Sequence, residues 1–207
     1  MKTIVFQGDS ITDSERRRDH EMYMGSGYVT MTAGKVAMDH PGKYRFYNRG
    51  ISGDRSVDLY ARIKVDLLNL KPDILTVLIG VNDVWHEFGL QNGVSPETYE
   101  MLLDLTVKEV LADNPEVKIF LLEPFVLPGS MNEGFYDDLR SGVLRNASIC
   151  KSVAHRYGVT FVPLQKQMDE LAAATSDAYV LFDGVHPNLA GHELISRALY
   201  AAMADIL

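Results

Sequence analysis

Four short polar motifs have residue types that could do chemistry. They are Gly8-Asp9-Ser10, Asn48-Arg49-Gly50-Ile51-Ser52-Gly53, Gly80-Val81-Asn82-Asp83 and Asp183-Gly184-Val185-His186-Pro187. Together they offer a nucleophile, donors for an oxyanion, and a base with a carboxylate to orient it. Acyl transfer needs that set of parts.

Ser10 is the nucleophile candidate. A serine hydroxyl attacks poorly unless a base lies within hydrogen-bond reach. The chain lacks G-x-S-x-G, so a standard nucleophile elbow is not expected. Gly53 can bring a backbone N–H close to a reacting carbonyl, and the Asn82 side-chain NH₂ can aim at the same oxygen. His186 is the base candidate. Asp183, three positions earlier, could accept from Nδ1–H and leave Nε2 facing Ser10. Each motif alone has a plainer reading as a turn or helix cap, because Gly, Asp, Asn and Ser dominate turns.

Other polar residues carry less. His20, His40, His155 and His192 have no acid-and-nucleophile context and read as surface or satisfied core residues. No H-E-x-x-H or zinc-like spacing occurs. Trp85-His86 is expected on the loop after Asn82, where Trp85 either walls a pocket or packs in the core. Arg16-Arg17-Arg18 reads as a solvated face, with a subunit or substrate-loop contact as the alternative. Cys150, the only cysteine, sits in an apolar helical context and reads as packing.

The elements that must position these groups are legible as alternation. Short apolar runs at Thr3 to Phe6, Arg45 to Tyr47, Ile74 to Ile79, Val117 to Leu122 and Thr160 to Val162 suit parallel strands covered on both faces. Between them lie helical patterns at Tyr28 to Met38, at Val57 to Leu68, after the Ser95-Pro96-Glu97 start signal, and at the C-terminal Leu194 to Ile206 with Asn188 as a possible cap. Such alternation implies an open, mostly parallel sheet with helices on both faces. Ligands bind beyond the carboxyl ends of such strands, and Ser10, Gly53 and Asn82 all follow predicted strands.

The 207 residues suit one domain spanning 1–207. A net charge of −8 argues against nucleic acid or an anionic membrane surface as the main partner. With one cysteine no intrachain disulfide forms. Met1 to Phe6 is too short an apolar run for a signal peptide, and nothing reaches membrane-spanning length, so a cytoplasmic location is expected.

In this order the motifs resemble the SGNH-hydrolase superfamily, the GDSL esterases and lipases. The family's nucleophile maps onto Ser10, its oxyanion glycine and asparagine onto Gly53 and Asn82, and its Asp-x-x-His pair onto Asp183 and His186. The Ser10 N–H is the third oxyanion donor by the same likeness. The resemblance runs from residue 8 to residue 187. It implies a flavodoxin-like three-layer α/β/α sandwich with a mostly parallel five-stranded sheet, and chemistry without a metal or organic cofactor.

Within the superfamily, Gly8 to Asp13, Gly27-Tyr28-Val29, Asn48 to Gly53, Ile79 to Trp85 and Asp183 to Pro187 look like the intracellular acetylxylan-esterase branch. Those enzymes remove O-acetyl groups from xylo-oligosaccharides. The resemblance implies a small acetylated carbohydrate as substrate, with Trp85 a candidate wall for the sugar, and leaves a homo-oligomer open. Ser14-Glu15-Arg16 departs from the likeness, since relatives often carry a small or cysteine residue there, then glycine and arginine. Two rivals stand beside this reading: a lysophospholipase- or thioesterase-like hydrolase of longer acyl chains, and a non-catalytic carbohydrate-binding protein on a hydrolase fold.

Overall fold

The computed structural model describes all 207 residues. Its strands are β1 (Lys2–Gly8), β2 (Tyr44–Gly50), β3 (Ile74–Leu78), β4 (Lys118–Leu122) and β5 (Thr160–Val162). Its helices are α1 (Ser10–Asp13), α2 (Tyr28–Asp39), α3 (Ser56–Ala61), α4 (Ile63–Asp66), α5 (Val81–Leu90), α6 (Pro96–Asp113), α7 (Tyr136–Tyr157), α8 (Gln165–Ala174), α9 (Asp177–Val180) and α10 (Leu189–Met203). The strands form one sheet in the order β2-β1-β3-β4-β5. All four pairings are parallel, so the mostly parallel expectation tightens to an entirely parallel sheet.

The unalternating apolar runs have a direct cause. On β1, Ile4 and Phe6 enter one core, shared with Tyr28 and Val29 of α2 and with Ile195 and Leu199 of α10. Val5 enters the other, shared with Leu59, Leu103 and Val153 from α3, α6 and α7. β4 divides the same way, with Phe120 and Leu122 to the first core and Ile119 and Leu121 to the second. Both faces of each strand are covered, so both must be apolar. Burying one such side chain contributes roughly 1.5–3 kcal/mol relative to exposure.

The helix starts follow their signals in part. The Ser95 Oγ accepts the Thr98 N–H at 3.2 Å and Pro96 occupies the first turn. Asn188 is the N-cap residue of α10 but gives it no side-chain bond; its amide instead donates to the Ala178 carbonyl at 2.5 Å.

The single amphipathic helix expected over residues 57–68 does not form. It breaks into α3, α4 and a 3₁₀ turn at Leu68–Leu70. Tertiary bonds compete with the helix ladder there. The Arg62 guanidinium reaches the Arg49 carbonyl (2.7 Å), the Gly8 carbonyl (3.2 Å) and the Asp54 carboxylate (2.7 Å). The Gln7 amide donates to the Asp66 carbonyl at 2.9 Å, a group a continuing helix would use. The same Arg62 therefore ties the end of β1 to the loop that carries Gly53.

The order of strands reverses direction at β1 and β3, so a crevice opens beyond their carboxyl ends. Ser10 follows β1, Gly53 follows β2 and Asn82 follows β3.

Candidate active site

Ser10 leaves β1 through Gly8 and Asp9 and becomes the first residue of α1. A Cβ on Gly8 would lie 2.4 Å from the Leu78 carbonyl, so β1 and β3 can close only around a glycine. Asp9 caps α1, its Oδ1 accepting the Ile11 N–H at 3.0 Å. That cap turns the chain so that the Ser10 side chain faces the crevice.

His186 and Asp183 sit on a tight loop before α10. Leu181 and Pro187 pair in antiparallel fashion across its neck, and the Phe182 N–H donates to the His186 carbonyl at 3.0 Å. Gly184 has φ 95°, left-handed backbone that favours glycine. A second loop cradles this one. The Leu127 N–H donates to the Gly184 carbonyl (2.9 Å) and the Met131 N–H to the Asp183 carbonyl (3.0 Å). Asn132, fully buried, braces that second loop through Leu127 and Gly129.

The three side chains meet. The Asp183 Oδ2 lies 2.7 Å from His186 Nδ1, and His186 Nε2 lies 2.9 Å from Ser10 Oγ. The other Asp183 oxygen accepts the Val185 and His186 N–H groups at 2.9 and 2.8 Å. With Asp183 accepting Nδ1–H, the Nε2 lone pair is free to accept the serine proton. Burial pushes the Asp183 carboxyl up, but the bonds from His186 and the two amides outweigh it and hold it below the ordinary range. The bond to Asp183 raises the imidazole of His186 above its usual value; burial works against this, and the charges of Asp183 and Asp9 reinforce it.

The three candidate oxyanion donors are the Ser10 and Gly53 N–H groups and the Asn82 side-chain amide. Gly53 lies at φ 86°, which a glycine adopts without strain, and it is exposed with open space at its Cα. Neither its N–H nor that of Ser10 has an acceptor within the protein. Asn82 is 1% exposed and spends one amide hydrogen on the Asp54 carbonyl at 3.0 Å. Its second hydrogen is left to donate. Asp83 ties the Asn82 segment to the Gly53 loop: its carboxylate accepts both the N–H and the hydroxyl of Ser56, one turn past Gly53. Burial pushes the Asp83 carboxyl up to about 6, and the bonds from Ser56 moderate it.

Ser10, Asp183 and His186 line a cleft of about 640 Å³, which Ser52 borders on the side of the Gly53 loop. Most of the residues lining it are polar or charged, Asp13, Ser14, Glu15 and Ser26 among them; Ile11, Phe182 and Leu189 are its apolar members.

Several residues stand elsewhere than the sequence suggests. Trp85 lies on α5, not on a loop, because the helix begins at Val81, before Asn82. It is half-buried against the core, meets the edge of His186 at 6.0 Å, and does not line the cleft. The aromatic ring in the cleft is Phe182, 57% exposed and stacked on His186 at 5.8 Å. Its signal was available: an aromatic residue directly before the acid of the Asp-x-x-His stretch. His192 also lines the cleft, although its sequence context suggested no role. Arg17 and Arg18 are solvated as expected, but Arg16 is half-buried and donates to the Gly50 carbonyl at 2.8 Å. Cys150 is buried, its thiol toward the Leu122 carbonyl at 3.7 Å, and burial raises it far from reactivity. Among His, Cys, Asp and Glu side chains no cluster of metal-binding geometry forms. No helix is long and apolar enough to cross a membrane.

Comparison with known proteins places the chain in a family. Residues 6–194 match the GDSL-like Lipase/Acylhydrolase family. An acetylxylan esterase of Geobacillus stearothermophilus is 33% identical over 202 residues, covering 94% of this chain and 90% of that protein. A solved structure of a variant of an acetyl-xylooligosaccharide esterase from the same organism superposes with a TM-score of 0.87 at 32% identity, covering 98% of this chain and 94% of that one. An α/β hydrolase enzyme from the metagenome of Lake Arreo, Spain, gives a TM-score of 0.87 at 32% identity over 100% of this chain and 96% of its own.

Proposed function

The chain belongs to the GDSL-like lipase/acylhydrolase family and is a carboxylic ester hydrolase; from that premise we propose that it is a serine esterase removing O-acetyl groups from small carbohydrates, xylo-oligosaccharides first among them. The observation that carries the reading is the continuous Asp183–His186–Ser10 hydrogen-bond chain opening onto a cleft lined mainly by polar residues. The acetylxylan esterase relative supports the choice of sugar.

In this reading Ser10 Oγ attacks the acetyl carbonyl as His186 Nε2 takes its proton. The N–H groups of Ser10 and Gly53 and the free Asn82 amide hydrogen hold the oxyanion, where preorganised donors act most strongly. Asp183 keeps the imidazole in the right tautomer and stabilises it once charged. His186 then gives the proton to the departing sugar oxygen. A water, deprotonated by the same nitrogen, releases acetate from Ser10.

The cleft argues for a small acyl group and a polar leaving group. A long acyl chain needs an extended apolar groove, and here Asp13, Ser14, Glu15 and Ser26 occupy the walls. The test compares acetate release from acetylated xylo-, cello- and chito-oligosaccharides, together with p-nitrophenyl acetate and decanoate. Fastest release from the xylo series, with acetate far ahead of decanoate, is expected. Preference for decanoate would replace this reading with a long-chain acyl hydrolase. No turnover of any ester would favour a binding protein.

A further inference from the structure

His192, in the first turns of α10, lines the cleft that holds Ser10 and His186. Its Nδ1 accepts the backbone N–H of Tyr28 at 3.2 Å. Tyr28 is the first residue of α2, where helix geometry leaves an N–H without an intrahelical acceptor. The N-cap residue is Gly27, which has no side chain to offer. An accepting Nδ1 places the ring proton on Nε2. That Nε2–H has no partner in the protein, yet it is not sealed from solvent.

The ring is also held in place. A Cβ on Gly27 would stand 2.7 Å from His192 Cε1 and 2.2 Å from Ser14 Oγ. Gly27 has φ −100°, which any residue adopts, so space and not backbone freedom calls for glycine. Its missing side chain lets Ser14 and His192 close on the start of α2. Burial, with His186 nearby, pushes the His192 imidazole down to about 4, so it is neutral wherever His186 can act as a base.

The direction of the cleft gives this donor its task. The cleft runs from Ser10 and Ser52, beside the Gly53 donor, past His186, which must reach the leaving oxygen, to His192. The leaving group therefore occupies the His192 side. We propose that His192 is a specificity-determining residue whose Nε2–H donates to a hydroxyl or ring oxygen of the sugar being deacetylated. The inference rests on the sugar-ester reading above. A preorganised donor left unpaired penalises substrates lacking the matching acceptor.

The test measures kcat/KM for an acetylated xylo-oligosaccharide and for p-nitrophenyl acetate, whose leaving group has no hydroxyl to offer. His192→Asn keeps an oxygen near the Tyr28 N–H but cannot reach the Nε2 position. The ratio of sugar to aryl kcat/KM should fall about tenfold, as for one neutral hydrogen bond. His192→Gln, whose amide NH₂ reaches the Nε2 position, should recover part of the ratio. If the Asn variant fails to fold, His192→Phe, which keeps the ring volume, carries the same comparison. An unchanged ratio, or proportional losses on both substrates, would overturn the inference while leaving the sugar-ester reading intact. A parent enzyme that releases no acetate from the oligosaccharide would overturn both.

Discussion

The Ser10 hydroxyl stands 2.9 Å from His186 Nε2 although 176 positions separate them in the chain. Two unrelated devices hold them there: the Asp9 cap at the end of β1, and the loop before α10 pinned by the Leu127 and Met131 N–H groups. If the pair acts as one unit, Ser10→Ala and His186→Ala should each abolish nearly all esterase activity. The double variant should be no worse than either single one. Rates for the three variants on p-nitrophenyl acetate check this; multiplying losses would mean independent roles.

The acid limb of the pH profile should report His186. Its bond to Asp183 raises the imidazole above 6.5, and the base works only when neutral. Activity should therefore fall as pH drops through a midpoint above 6.5. Asp183→Asn removes the largest raising cause, so the midpoint should move to lower pH while the plateau falls. A limb that stays in place in the Asn variant would assign it to another group.

Asn82→Ala should lower kcat by roughly 10²–10³ with a smaller change in KM, since the donor serves mainly the transition state. It should also lower stability by about 1–3 kcal/mol, because the Asp54 carbonyl loses its 3.0 Å partner in a buried site. A loss confined to KM would place Asn82 in ground-state binding.

Much of this was legible in the sequence because it is local. β5 falls at the expected residues, and Ser10, Gly53 and Asn82 each follow the strand expected to carry them. Both faces of β1, β3 and β4 are buried, so their runs are apolar without alternation. The Asp183–His186 contact was legible for the same reason, as it spans one turn. What escaped depends on the fold. The helix break at Arg62 is decided by carbonyls of Gly8 and Arg49, supplied by β1 and β2. The cradle from Leu127 to Asn132 acts through backbone N–H groups of Leu127 and Met131, which no residue type in the sequence marks. His192 gains its setting only when α2 and α10 meet.

Asp9 predicts a stability profile as well as a cap. It is wholly buried, its Oδ2 has no partner, and burial pushes the carboxyl up to about 7 despite the Ile11 amide. A raised folded pKa gives stability that is full below the unfolded value near 3.8 and is lost as pH rises through about 7. Asp83, raised to about 6, acts in the same sense. Thermal melts should thus fall between about pH 4 and pH 8 in the parent and fall less steeply in Asp9→Asn. Parallel curves for the two proteins would show that Asp9 does not hold the proton.

The last prediction separates two aromatic rings that both contact His186. Trp85 meets the imidazole edge-on at 6.0 Å, is half-buried against the core, and stays outside the cleft. Phe182 stacks on the imidazole at 5.8 Å, lines the cleft and is 57% exposed. A sugar in the cleft can cover an exposed aromatic face, and the apolar C–H face of a sugar gains from that burial. Trp85→Ala should therefore slow an acetylated xylo-oligosaccharide and p-nitrophenyl acetate by similar factors, because it loosens the base that both substrates use. Phe182→Ala removes packing on His186 too, so both rates should fall. It also removes the sugar platform, so the oligosaccharide should lose a further 3–10-fold, about 0.6–1.4 kcal/mol, mostly as a raised KM. Measuring kcat and KM for both substrates in both variants decides the matter. A selective loss in the Trp85 variant and a uniform loss in the Phe182 variant would reverse the two roles and place the sugar on the α5 side of His186.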